Sequence, residues 1–97
     1  MKLENQVCSL ELAKKLKELG VKQESLFYWR YNDGMDEWFI DEWDEFGPGK
    51  EFISSLKATS AFTVAELLEM LKEPVLVPVD GSAADYLAKI IIRQLEN

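Results

Sequence analysis

The sequence predicts an α+β fold, a small antiparallel sheet built on an aromatic β-hairpin and packed by about three amphipathic helices. Three observations predict it: apolar residues at helical spacing after Ser9, an aromatic run on each side of Asn32-Asp33-Gly34, and a T-x-x-E signature at Thr63 and Glu66. No repeat, low-complexity tract or linker interrupts them, so the expectation is one domain over residues 1–97.

Ser9 is placed to cap a helix running to about Leu19. Leu12, Ala13, Leu16 and Leu19 recur on one face, Lys14, Lys15, Lys17 and Glu18 read as a solvated face, and Gly20 supplies a left-handed C-terminal residue. Ser25 to Tyr31 is dense in strand-favouring aromatics, and Met35 to Asp41 is the returning strand, with Trp38, Phe39 and Ile40 at its centre. Neither strand alternates cleanly between apolar and polar residues. Both faces of the hairpin are therefore expected to be partly covered, which requires a third strand or a helix.

Asp44 to Lys50 reads as a loop around Gly47-Pro48-Gly49. Lys50 to Lys57 fits either a short helix or a strand, with Phe52, Ile53 and Leu56 favouring the helix. Thr63 and Glu66 form a capping box, and Phe62 and Leu67 hold the two positions of a hydrophobic staple, so a helix is expected from Val64 to about Lys72, stopped by Pro74. Val75-Leu76-Val77 reads as a short strand or extended stretch, with Pro78 placing it at a sheet edge if it pairs at all. Ser82 and Asp85 repeat the capping pattern before a last helix, Ala83 to about Leu95. Its expected buried stripe is Ala84, Leu87, Ala88, Ile91 and Leu95, widened by Tyr86 and Ile90.

Charge and aromatic residues concentrate in one stretch. Nine of the eleven aromatics lie between Phe27 and Phe52, and Asp33 to Glu51 holds eight acids against the single base Lys50. The remaining ten acids are matched by ten bases, so this stretch accounts for the whole net charge of −7. Such a balance argues against direct nucleic-acid binding, which needs a basic patch to displace counterions from phosphates.

Several function classes lose their chemistry here. The chain has no histidine, so no Ser-His-Asp or Cys-His arrangement, histidine-ligated zinc or imidazole proton shuttle is available within it. A single cysteine, Cys8, reads as a small, partly buried hydrophobe rather than a reactive thiol. The acid clusters Asp33, Asp36, Glu37 and Asp41, Glu42, Asp44, Glu45 do not follow the ligand spacing of an EF-hand loop. Paired carboxylates for acid-base work arise by chance in so acidic a chain, and no nucleophile motif, phosphate loop or cofactor fingerprint accompanies them. Binding without a catalytic role, cofactor or metal is the expectation.

The longest apolar runs are far short of the roughly 20 residues of a membrane helix. The first residues, Met1 to Gln6, lack the basic and apolar regions of a secretory signal. A cytoplasmic setting, with no membrane partner, is expected.

The segments Leu10 to Trp29, Ser60 to Leu71, Ala84 to Lys89 and Leu95 to Asn97 resemble a group of small uncharacterised proteins encoded by bacterial phages and prophages. The resemblance spans most of the chain and implies the same helix-hairpin-helix-helix outline in a bacterial host. It carries no activity and no site residues. Members of that group have a longer strand-rich segment between the middle and last helices, where this chain has only Val75 to Ser82, which leaves the size of the sheet open.

The leading expectation is therefore a protein partner, of unspecified identity, met by the acidic and aromatic hairpin and its following loop. Its contact residues would be Trp38, Asp41, Glu42, Trp43, Asp44, Glu45 and Phe46, the aromatics giving contact area and the acids selectivity and on-rate. If so, Trp38, Trp43 and Phe46 should be at least partly exposed. Two alternatives stand beside it. Carboxylates about 6.6 Å apart along a strand could imitate the phosphate backbone and occupy a host protein's basic groove, although Asp36, Trp38, Ile40, Glu42 and Asp44 share one face and Glu37, Phe39, Asp41, Trp43 and Glu45 the other, mixing acids with aromatics. Alternatively, the tryptophans are core, the acids keep a small domain soluble, and the functional surface lies elsewhere, including self-association through exposed helix faces into a homodimer.

Overall fold

The computed structural model describes residues 6–43, 49–71, 75–76 and 83–96. In chain order these form α1 (Leu10–Glu18), β1 (Phe27–Asn32), β2 (Glu37–Glu42), α2 (Lys50–Ile53), β3 (Ala58–Ser60), α3 (Val64–Leu71) and α4 (Ala83–Glu96). The fold is α+β, with a three-stranded antiparallel sheet in the order β2-β1-β3.

Local chemistry accounts for the helix ends. The Ser9 hydroxyl accepts the Leu12 N–H and caps α1. At the other end Gly20 takes φ +89°, its N–H donates to the Lys17 carbonyl at 3.1 Å, and the Val21 N–H donates to the Leu16 carbonyl at 3.1 Å. That pair of bonds is a Schellman motif, closed by the apolar residues Leu16 and Val21, both part of the main core. The capping box of α3 forms in both directions: Thr63 Oγ1 accepts the Glu66 N–H at 3.3 Å, and Glu66 Oε1 accepts the Thr63 N–H at 2.9 Å. Phe62 and Leu67, the staple pair, are fully buried.

The hairpin turns later than the sequence predicts. Residues 33–36 are all turn, Met35 is exposed rather than paired, and Asp36 adopts φ +53°, a left-handed value that aspartate tolerates better than most residues. Asn32 causes the delay, because its Oδ1 accepts the Gly34 N–H at 2.9 Å and holds an Asx-type turn before β2 begins. Trp29 pairs with Ile40 across the hairpin and with Thr59 on the other side.

Each face of the sheet has its own cover. On the face of Trp29 and Thr59 lie α1, α3 and α4, enclosing Cys8, Leu16, Phe62, Leu67, Leu87 and Ile91. Thr59 Oγ1 donates to the Ala13 carbonyl at 3.1 Å and Trp29 Nε1 to the Cys8 carbonyl at 3.1 Å, which fixes the sheet under the helices. On the opposite face, Tyr28, Ala58 and Ile53 form a second cluster with Phe52 and Trp43, roofed by α2. Both faces of the hairpin are thus partly covered, and Lys50 to Lys57 contains a helix rather than a strand.

Two residues of the expected α4 stripe need correction. Tyr86 is 44% exposed, since it lies across the helix from Ala84, Leu87, Ala88 and Ile91, and Leu95 is 47% exposed in the last turn, where α4 outruns its cover. Val75 and Leu76 belong to no strand; Val75 packs on the core and Leu76 faces water. Asp85 Oδ1 accepts the Ser9 N–H at 2.6 Å, a long-range contact. Its proposed capping partner Ser82, together with Lys72, Pro74, Val77, Pro78 and the loop 44–48, lies outside the described residues.

Candidate interaction edge and cleft

β2 is an outer strand, and its hydrogen-bond pattern follows from one contact. The Trp43 N–H donates to the Leu26 carbonyl at 2.9 Å, which makes these residues a bonded pair one step beyond the Phe27/Glu42 register. Bonded and non-bonded pairs alternate along an antiparallel ladder, so Asp41, Phe39 and Glu37 bond to β1 while Trp38, Ile40 and Glu42 turn their N–H and C=O groups outward. The Glu42 N–H is taken by Asp41 Oδ1 at 2.9 Å. Among the described residues nothing accepts the Trp38 or Ile40 N–H.

The far edge of the sheet is different. Bonds from Tyr31 N–H to the Lys57 carbonyl and from Ala61 N–H to the Phe27 carbonyl leave Ala58 and Ser60 facing outward on β3. Gln23 Oε1 accepts the Ser60 N–H at 2.8 Å, and Lys17 Nζ donates to the Ala58 carbonyl at 2.7 Å and also to the Ser55 carbonyl. One edge is sealed by side chains, and among the described residues the other is open. Burial of Lys17 lowers its pKa, as desolvation disfavours the charged amine.

Trp38, Asp41, Glu42 and Trp43 do not form one patch. Trp38 and Glu42 share the face toward α1, whereas Asp41 and Trp43 lie on the face toward α2, as strand parity requires. Trp38 is partly buried under the Lys14 ammonium, 4.6 Å from its ring centroid, with the Tyr31 ring edge-on at 5.6 Å. Trp43 is partly buried against Tyr28, with centroids 6.1 Å apart and planes at 80°. Asp44, Glu45 and Phe46 lie outside the described residues.

Several of the acids already have partners. Asp41 Oδ2 meets Arg30 at 3.2 Å, the Arg30 guanidinium also stacking 4.9 Å from the Phe39 ring. Asp33 pairs with Lys57 at 2.9 Å. Asp36 accepts the Tyr31 hydroxyl, and that hydrogen bond raises the tyrosine pKa by holding the proton in place.

Beside Trp38, a cleft of about 450 Å³ opens between α1 and the sheet. Trp38, Leu56, Ala58 and Thr59 wall one side, and Lys14, Lys17 and Glu18 of α1 line the other. Leu56, at 94% exposure, stands open to water at this cleft. Neither Lys17, Gln23 nor Leu56 stands out in the sequence, because what gives them a role is the arrival of the Ser55–Ser60 segment beside α1.

Cys8 is fully buried, and desolvation pushes its thiol up to about 12, so it serves as core. Among the described residues no three His, Cys, Asp or Glu side chains gather as a metal site, and no helix is long and apolar enough to cross a membrane. Compared with protein-family models, curated proteins and solved structures, the chain matches none.

Proposed function

We propose that this protein is a non-catalytic binding module that takes an extended, basic segment of a protein partner as a fourth strand against β2. The observation that carries this reading is the asymmetry of the sheet: Gln23 and Lys17 occupy the outward groups of β3, while the Trp38 and Ile40 amides on β2 have no acceptor among the described residues. An added strand would satisfy them by main-chain hydrogen bonds, and side chains at alternate positions would supply selectivity.

Charge specifies the chemistry of that segment. Glu37 and Glu42 are exposed at the two ends of β2, within the stretch that holds the net charge of −7. Lysines or arginines in an incoming strand would be steered toward this edge, and an acidic segment repelled. With the resemblance to phage and prophage proteins, the reading places the partner in the cytoplasm of a bacterial host.

Two other uses of this edge have less support. An imitator of nucleic acid needs a row of free carboxylates, yet Asp33, Asp36 and Asp41 are engaged by Lys57, Tyr31 and Arg30. Self-association through β2 would bring Glu37, Asp41 and Glu42 of two copies onto one ribbon, which like-charge repulsion opposes.

Selection of peptides from a displayed random library, followed by amide exchange of the native protein with the selected peptide, tests the reading. Enriched peptides should alternate basic and apolar residues and protect the Trp38 and Ile40 amides. Ile40→Pro removes an outward N–H without touching the β1 ladder, so it should remain folded by circular dichroism and weaken binding about tenfold or more. Failure to enrich any peptide, or protection elsewhere with full binding by the proline variant, would overturn it.

A further inference from the structure

We infer that the cleft between α1 and the sheet, walled by Trp38, Leu56 and Thr59 and bordered by Lys14, binds a small organic carboxylate with an apolar body. This inference stands apart from strand addition, since the cleft lies between layers and the amides of β2 point away along the sheet.

Size is the first support. About 450 Å³ falls within the range of roughly 300–1,000 Å³ typical of small-molecule sites. The lining is the second. Leu56 is almost wholly exposed and Trp38 only partly covered, so an apolar occupant would remove both from water, and Thr59 and the stems of Lys14 and Lys17 would complete its surroundings.

Charge is the third and decides the ligand class. The chain is strongly acidic, yet this cleft is lined by two lysines and one acid, Glu18. Lys15, Lys22 and Lys57 each have a carboxylate within 4 Å, at 3.6, 3.3 and 2.9 Å. Lys14 has none among the described residues and rests on the Trp38 ring instead. Among the described residues its ammonium is a charge without a counter-ion beside an apolar wall. A carboxylate on the ligand would supply that counter-ion, sharing the ammonium with the indole, while an amine would be repelled by Lys14 and Lys17. Lys17 is committed to the Ser55 and Ala58 carbonyls, so Lys14 is the residue that selects the anion.

The test is NMR titration of the native protein with three probes of one shape: 2-naphthoate, its neutral carboxamide, and 2-naphthylmethylamine. The naphthoate should shift the Lys14, Trp38 and Thr59 amides with a submillimolar Kd and bind at least severalfold more tightly than the carboxamide, with the amine weakest. Lys14→Met keeps the stem and removes the charge. It should weaken naphthoate about fivefold and leave the carboxamide unchanged. Ile40→Pro should bind naphthoate as the native protein does, which separates this site from the strand edge. Equal affinity for acid and amide, a preference that survives Lys14→Met, shifts confined to another surface, or no shift at millimolar naphthoate would each overturn the assignment.

Discussion

Asp85 Oδ1 accepts the backbone N–H of Ser9 at 2.6 Å across 76 positions of sequence, and Ser9 in turn caps α1 with its own hydroxyl. The first turn of α4 thereby holds the residue that starts α1. Both helices bury their apolar stripes in the same core, around Leu16, Leu87 and Ile91, so this bond fixes the ends whose sides are already packed.

Asp85→Ala should destabilise the fold by about 1–3 kcal/mol, the cost of leaving a partly buried N–H without its charged acceptor. Asp85→Asn, which keeps an oxygen in place, should lose less than half of that. Urea denaturation followed by tryptophan fluorescence measures both. Equal stability of the alanine variant and the native protein would show that water replaces the carboxylate at no cost.

Lys17 seals the outer edge of β3 by donating to the Ser55 and Ala58 carbonyls. Lys17→Met retains the stem but leaves both carbonyls without that donor. A loss of about 1–3 kcal/mol is expected, with faster amide exchange in β3 than in β1. Lys14→Met, on the same helix and with no such bonds, should cost less than about 0.5 kcal/mol.

Cys8 gives the protein an alkaline limit. Its folded pKa, about 12, lies above the ordinary value of 9.0, chiefly because burial disfavours the thiolate. Above pH 9 the unfolded chain therefore releases this proton while the folded chain retains it. The stabilisation is fully present below pH 9 and is lost as pH rises toward 12, by about 1.4 kcal/mol per pH unit. Subtracting the denaturation curves of Cys8→Ala from those of the native protein isolates this slope. At pH 8 the native thiol should also react with a disulfide reagent far more slowly than the unfolded chain.

The helix termini were legible in the sequence because their determinants lie within one turn of one another. Ser9, Gly20 and the Thr63/Glu66 pair act through bonds three to five residues long, and each does in the structure what its position predicts. The hairpin was legible for a similar reason, as Asn32-Asp33-Gly34 joins two aromatic runs, although the Asx turn moved the start of β2 by two residues.

Local signals could not reach β3. Alanine and serine are poor strand formers, and Ala58-Thr59-Ser60 becomes a strand because β1 presents a free ladder and Gln23 and Lys17 cover its other side. Of the hairpin residues expected to make contact, strand parity alone separates Trp38 and Glu42 from Asp41 and Trp43. It does not say that Arg30 would engage Asp41 or that Lys14 would lie over Trp38.

By itself the sequence determined where α1, α3 and α4 begin and where α1 ends, that an aromatic hairpin forms, and that the net charge resides in one stretch, since these depend on residue type and short spacing. Only the tertiary structure decided that, among the described residues, β2 is the open edge, β3 is the sealed one, and a cleft with a lysine lacking a carboxylate partner lies beside Trp38. Each of those depends on which distant segments meet, and that is set by the shared burial of α1, α3, α4 and the sheet rather than by any residue's neighbours in the chain.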